Sequence, residues 1–119
     1  MHEYSIVQTL IGCVEKETRE ARAQGAVVRR VNLRMGALCG VESELLRLAF
    51  ETFRERSVCA EAELHISHVD AKWACRSCGL EIVRGPLQCS ECGSPGKLLH
   101  GDEMILERIE LDVTEATDV

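Results

Sequence analysis

Aromatic side chains are scarce in this chain. Its 119 residues include one tryptophan, one tyrosine and two phenylalanines, so 45% of the residues are hydrophobic but only 3% are aromatic. The core must therefore be built from Val, Leu, Ile and Ala, with Phe50 and Phe53 as its largest pieces. Long apolar runs are also missing. No stretch approaches the roughly 20 residues of a membrane-spanning helix. The first residues have neither the basic start nor the unbroken apolar run of a signal peptide. Positive charge is outweighed, with 14 Lys and Arg against 20 Asp and Glu and a formal net charge of −6. A chain this acidic is a poor general binder of nucleic acid. There is no Ser/His/Asp grouping and no phosphate-binding glycine loop, which argues against an enzyme. Seven cysteines is an odd number. Free thiols suit a reducing cytoplasm, where Cys13, Cys39 and Cys59 behave as small buried hydrophobes.

The other four cysteines organise the chain. Cys75-Arg76-Ser77-Cys78-Gly79 is followed by Cys89-Ser90-Glu91-Cys92-Gly93, which reads C-x2-C-x10-C-x2-C. A two-residue spacer lets both sulfurs of a pair point at one ion, and two such pairs offer four thiolates to one Zn²⁺. A glycine after each pair permits the left-handed turn that swings backbone N–H groups toward the sulfurs. Four cysteines close the coordination sphere, so this zinc folds its segment and leaves no position for a substrate. The segment is about 30 residues long, too small to fold on a core of its own.

Around it, the pattern predicts a small α+β unit. Val7, Leu10, Ile11, Val14, Thr18 and Ala21 recur at helical spacing, giving a helix from about Tyr4 to Ala23. Ser5 and Gln8 resemble a capping box at its start. Ala26 to Met35 alternates as a strand. Val27, Val31, Leu33 and Met35 face inward, with Arg29 among them, and Val28, Arg30, Asn32 and Arg34 face water. A second helix carries Leu46, Ala49, Phe50 and Phe53 inward. Ala62, Leu64, Ile66 and His68 share one face of a second strand. Met104 to Val113 is a third strand, followed by a short acidic tail, 114–119. The expected fold is two helices packed on one face of a small three-stranded sheet, with the zinc ribbon inserted. Residues 1–69 with 102–119 form the α/β domain, and 70–101 form the ribbon.

The chain opens Met1-His2-Glu3. The terminal amine, the deprotonated His2 amide and the His2 imidazole can close fused rings on one ion, and square-planar nitrogen sites of this kind suit Ni(II) or Cu(II). A bulky second residue keeps Met1 in place. A cation here meets the unfavourable end of a helix dipole, so anionic help from Glu3 is useful.

Met1-His2-Glu3-Tyr4-Ser5, Ala49-Phe50-Glu51-Thr52-Phe53 and the two C-x2-C-G knuckles, in this order, resemble the HypA/HybF family of hydrogenase-maturation nickel chaperones. The resemblance implies a nickel-binding α/β unit and a four-cysteine zinc ribbon. It implies delivery of Ni²⁺ to the large subunit of a nickel–iron hydrogenase, with a nickel-binding maturation GTPase as partner. In some members delivery also serves urease, which adds urease maturation proteins as partners. Carried over by position, His2 is the essential nickel ligand, helped by the Met1 amine and the Glu3 backbone. Glu42 matches a loop acid used by some members, as a glutamate where aspartate is expected. Its alternative role is to complement a helix dipole.

The remaining polar residues are weaker candidates. His65 and His68 lie three apart on a strand, on opposite faces, and make a poor ligand pair. His100 directly follows the ribbon, either solvated or as a further nickel ligand. Arg29, Arg30 and Arg34 form a basic strip, either a solvated face or a docking surface for an acidic partner. The competing functional reading is a zinc-ribbon module for nucleic acid or protein. The ribbon has Lys72, Arg76, Arg84 and Lys97 but a single aromatic, Trp73, which is thin for base stacking. Monomer and homodimer both remain open.

Overall fold

The computed structural model describes residues 2–82 and 88–113, with only the backbone described at His2. Met1, Arg84 and the tail 114–119, on which expectations were placed above, lie outside the described residues. The helical stretch begins at His2 and divides into α1 (His2–Glu17) and α2 (Arg19–Ala23). Ser5 is therefore inside α1 and does not cap it. The division falls at Thr18, which is buried, with φ −106° and ψ 7°. Its hydroxyl donates to the Val14 carbonyl at 2.7 Å and accepts from Arg22 Nε at 2.9 Å. A threonine that bonds back to the preceding turn distorts the helix there. Gly25, at φ +100°, ends the segment in the left-handed region.

Strand β1 (Val27–Gly36) lies between β2 (Glu63–Val69) and β6 (Met104–Asp112) in a three-stranded sheet of order β2-β1-β6. The inward set of β1 differs from simple alternation. Val28 is fully buried and Val27 only half-buried; from Val31 on, Leu33 and Met35 keep the expected phase. The phase change spans Arg29 and Arg30, which are both exposed. Asn32, expected to face water, is buried; its amide donates to Glu110 Oε2 at 2.9 Å.

Two arginines of the basic strip, Arg29 and Arg30, meet neighbouring acids. Arg29 reaches Glu61 at 2.8 Å and Asp112 at 3.2 Å, and Arg30 lies 3.6 Å from Glu110. These pairs are exposed and add little stability, but they oppose docking of an acidic partner there.

Helix α3 (Ser43–Phe53) buries Leu46, Ala49 and Phe50 at the expected spacing and continues into a 3-10 turn, Arg54–Arg56. It packs against α1, where Tyr4 meets Phe53 edge to face at 5.2 Å. The architecture is mixed α+β, as the sequence predicts.

A second antiparallel sheet, of order β4-β3-β5, is formed by β3 (Lys72–Cys75), β4 (Glu81–Ile82) and β5 (Gly96–His100). The chain separates into two compact units. One contains residues up to Leu33, Val41–Ser67 and those from Ile105 on. The other contains Arg34–Gly40 and His68–Met104.

Within the second unit, the end of β1 holds both chain segments that lead into and out of the ribbon. Gly36 N donates to Glu103 O at 2.8 Å, Ala37 N to Val69 O at 2.8 Å and Leu38 N to Gly101 O at 2.7 Å. Gly36 lies so close to Gly101 that a Cβ would strike its carbonyl group. A Cβ on Gly101 would in turn lie 2.5 Å from Ala71 Cα.

Candidate metal centre

Cys75 ends β3, and Cys78 follows in the turn that leads to β4. Cys89 and Cys92 make a matching turn before β5. Both turns close through glycine: Gly79 at φ +78° and Gly93 at φ +73°. Gly79 N donates to Cys75 O at 3.1 Å and Gly93 N to Cys89 O at 2.9 Å. The turns aim backbone amides at sulfur. Ser77 N and Cys78 N approach Cys75 Sγ at 3.3 and 3.4 Å, and Glu91 N approaches Cys89 Sγ at 3.3 Å. Ser77 Oγ and Ser94 Oγ tie the two turns together at 2.9 Å. That link lies outside the cysteine pattern, and no spacing rule would have identified it.

The four Sγ atoms lie within 4.8 Å of one another. Cys75 and Cys92 are 3.3 Å apart, and Cys78 and Cys89 are 3.6 Å apart. A tetrahedron with metal–sulfur bonds of about 2.3 Å has sulfurs about 3.8 Å apart, so the group is of the right size for one zinc ion.

Protonation follows the same geometry. The Cys78 amide, opposed by burial but joined by the Cys92 thiol and the Ser77 amide, pulls Cys75 down to about 6. At Cys78 the Leu80 amide lowers the pKa, but hydrogen bonds shared with Cys75 and Cys89, together with burial, outweigh it and leave the thiol at about 11. The shared hydrogen bonds thus favour the thiolate at Cys75 and keep the proton on Cys78. A divalent cation bound by the thiolates releases such a proton as it binds.

Among the described residues, these cysteines are the one group of three or more Cys, His, Asp or Glu whose ligand atoms converge. Glu3 is half-buried in the first turn of α1. Glu42 is exposed at the N-cap of α3, its side chain making no capping bond. His65 and His68 are both exposed on β2, and His100 is exposed at the end of β5 opposite Lys72. Of the other thiols, only Cys59 is buried as expected; Cys39 is half-buried, and Cys13 is exposed on α1. Burial raises Cys59 to about 11, against weaker lowering by Ser57, Arg22 and Arg54. Among the described residues, no helix is long and apolar enough to cross a membrane.

Comparison with known proteins agrees with this geometry. Residues 1–111 match the family model described as hydrogenase/urease nickel incorporation, metallochaperone, hypA. Hydrogenase maturation factor HypA of Shewanella halifaxensis is 43% identical, over 94% of this chain and 98% of the relative. That of Wolinella succinogenes is 39% identical over 97% and 98%. The solution structure of the Ni metallochaperone HypA from Helicobacter pylori superposes with a TM-score of 0.67 at 31% identity, covering 94% of this chain and 98% of that one. Another solution structure of a HypA protein gives 0.75 at 31% identity, with 96% and 98% covered. The four-cysteine ribbon, the α+β unit and a match across nearly the whole length agree: this chain belongs to the HypA family.

Proposed function

We propose that the protein is a nickel metallochaperone for hydrogenase maturation: it binds Ni(II) at its N-terminus and hands it to the hydrogenase large subunit. Family membership over residues 1–111 carries this reading. The Met1 amine, the His2 amide and imidazole, and the Glu3 backbone are the proposed ligands, with Glu42 as a further oxygen donor. The position of α1 supports the set. His2 and Glu3 lie in its first turn, where backbone N–H groups have no intrahelical carbonyl to serve. Each amide that loses its proton cancels one positive charge, which offsets the dipole cost of a cation at this end. A terminal chelate of this kind releases its ion more readily than a rigid cage. Residues 1–69 with 102–119 serve as the nickel-binding domain, and 70–101 as a zinc ribbon whose metal is structural or regulatory.

The protein acts as a carrier and not as an enzyme, since the four-thiolate centre offers a substrate no open position. A nickel-binding maturation GTPase and the hydrogenase large subunit are the proposed partners, with urease maturation proteins as a second outlet and the cytoplasm as the site of action. The nucleic-acid reading is disfavoured, because Trp73 is half-buried opposite Ile82 and Leu98.

Calorimetric titration of tag-free, zinc-loaded protein tests the proposal. One Ni(II) per chain is expected, lost in His2→Ala with zinc retained. Equal binding by the variant, or none by the wild type, refutes it.

A further inference from the structure

Helix α3 buries one arc of its surface and leaves another uncovered. Leu46 and Phe50 are fully buried, whereas Leu45 and Leu48 are 48% and 61% exposed. Three residues apart, these two leucines lie on one face of the helix. The exposed Thr52 extends the arc, its hydroxyl folded back onto the Leu48 carbonyl at 3.0 Å.

The flank of this arc is acidic. Glu44, Glu51 and Glu55 are all exposed and follow one another along the side next to Leu48. The arginines of the helix are drawn inward. Arg47 donates to the Leu64 carbonyl at 3.0 Å, and Arg54 donates to the Ala62 carbonyl at 2.6 Å and also reaches Glu51 at 3.3 Å. An exposed cation appears only at Arg56, beyond the end of α3.

We propose that this face of α3 docks a basic amphipathic helix of another protein. Its apolar side chains cover Leu45 and Leu48, and its Lys or Arg residues meet Glu44 and Glu55, while Glu51 is already paired with Arg54. A second copy of this chain is a poorer occupant. On its sheet, Arg29 and Arg30 are already engaged by Glu61, Asp112 and Glu110. The proposal does not depend on the nickel ligands.

The test titrates the full-length, zinc-loaded protein with two labelled synthetic helices and follows anisotropy. Both helices carry the same leucine stripe, one rimmed by lysine and the other by glutamate. The lysine-rimmed helix is expected to bind, more weakly as salt rises. Leu45→Ser with Leu48→Ser should weaken it at least about tenfold, and Glu44→Lys with Glu55→Lys should shift the preference to the glutamate-rimmed helix. All four positions are exposed, and a cooperative urea transition with a native far-UV spectrum verifies that each variant is folded. Failure of the lysine-rimmed helix to bind overturns the proposal. So does equal affinity for the leucine variant, which would mean bulk charge attraction alone. Sedimentation separates the remaining occupant: a dimer that Leu48→Ser dissolves assigns this face to a second copy and overturns the proposal.

Discussion

Alanine at Gly36 and alanine at Gly12 should move stability in opposite directions. Gly36 is buried at the end of β1, and a Cβ there would run into the Gly101 carbonyl group. The obstacle is backbone, so no side chain can rotate away. Gly101 is itself confined, at φ +116° with a Cβ position blocked by Ala71. Relief requires the two segments to separate, which strains the bonds from Gly36, Ala37 and Leu38 to Glu103, Val69 and Gly101. Overpacking alone costs about 1–3 kcal/mol. Each weakened hydrogen bond adds up to about 1 kcal/mol. Gly36→Ala should therefore lose about 2–5 kcal/mol, a large share of a small domain's stability. Gly12 sits in α1, exposed, and a Cβ added there would meet nothing within 4 Å. Gly12→Ala should gain about 0.5–1 kcal/mol from helix propensity. Urea unfolding of the zinc-loaded proteins measures both. A Gly36→Ala midpoint indistinguishable from wild type would refute the close approach on which this reasoning rests.

Stripping zinc with a chelator should unfold the ribbon, since a structural zinc site supplies about 10–16 kcal/mol of binding free energy. Hydrogen exchange should then show loss of amide protection in β3 and β5, with α1 and α3 still protected. Thr18→Val keeps the volume but removes the hydroxyl that serves the Val14 carbonyl and Arg22. It should cost roughly 1–2 kcal/mol in urea unfolding. The buried Cys59 thiol, raised from 9.0 to about 11, stabilises the fold in its neutral form. That contribution is complete below about pH 9 and is lost as pH rises toward 11. Cys59→Ala should flatten the decline of the urea midpoint over that window, and an unchanged slope would show that other groups cause it.

Legibility in the sequence tracked the distance over which each feature is determined. The zinc ligands lie within one short segment, and the glycine after each pair encodes its turn locally, so spacing alone identified the centre. The buried stripes of α1 and α3 were equally plain, because Val7, Leu10 and Val14, or Leu46, Ala49 and Phe50, repeat with the helix itself. Strand β1 was harder. Alternation puts Arg30 outward and Arg29 inward, yet both are exposed, and the acids that meet Arg29 come from elsewhere in the chain: Glu61 is 32 residues away and Asp112 is 83. Asn32 likewise read as exposed because its partner Glu110 is 78 positions away. Alternation assumes an unbroken period of two, and the phase change across Arg29 and Arg30 removes that assumption in midstrand.

The same distinction separates the two metals. A zinc site of four thiolates is a closed object, written into the spacing and fixed by amides from its own turns. A nickel carrier must release its ion, and the donors proposed for it are the terminal amine, backbone nitrogen and one imidazole, groups that composition does not single out. The Met1-His2-Glu3 opening gained its weight from resemblance to a family, and periodicity contributed nothing to it. Glu42 illustrates the cost of reading such a donor by position alone. It caps α3 in extended backbone, φ −81° and ψ 121°, with its carbonyl accepting from Leu46 N at 3.0 Å and its side chain uncommitted. A carboxylate left without a capping bond is available to a cation, yet it also satisfies the dipole of the helix it begins. Only nickel binding by Glu42→Gln, which keeps the shape and removes the charge, separates those two roles.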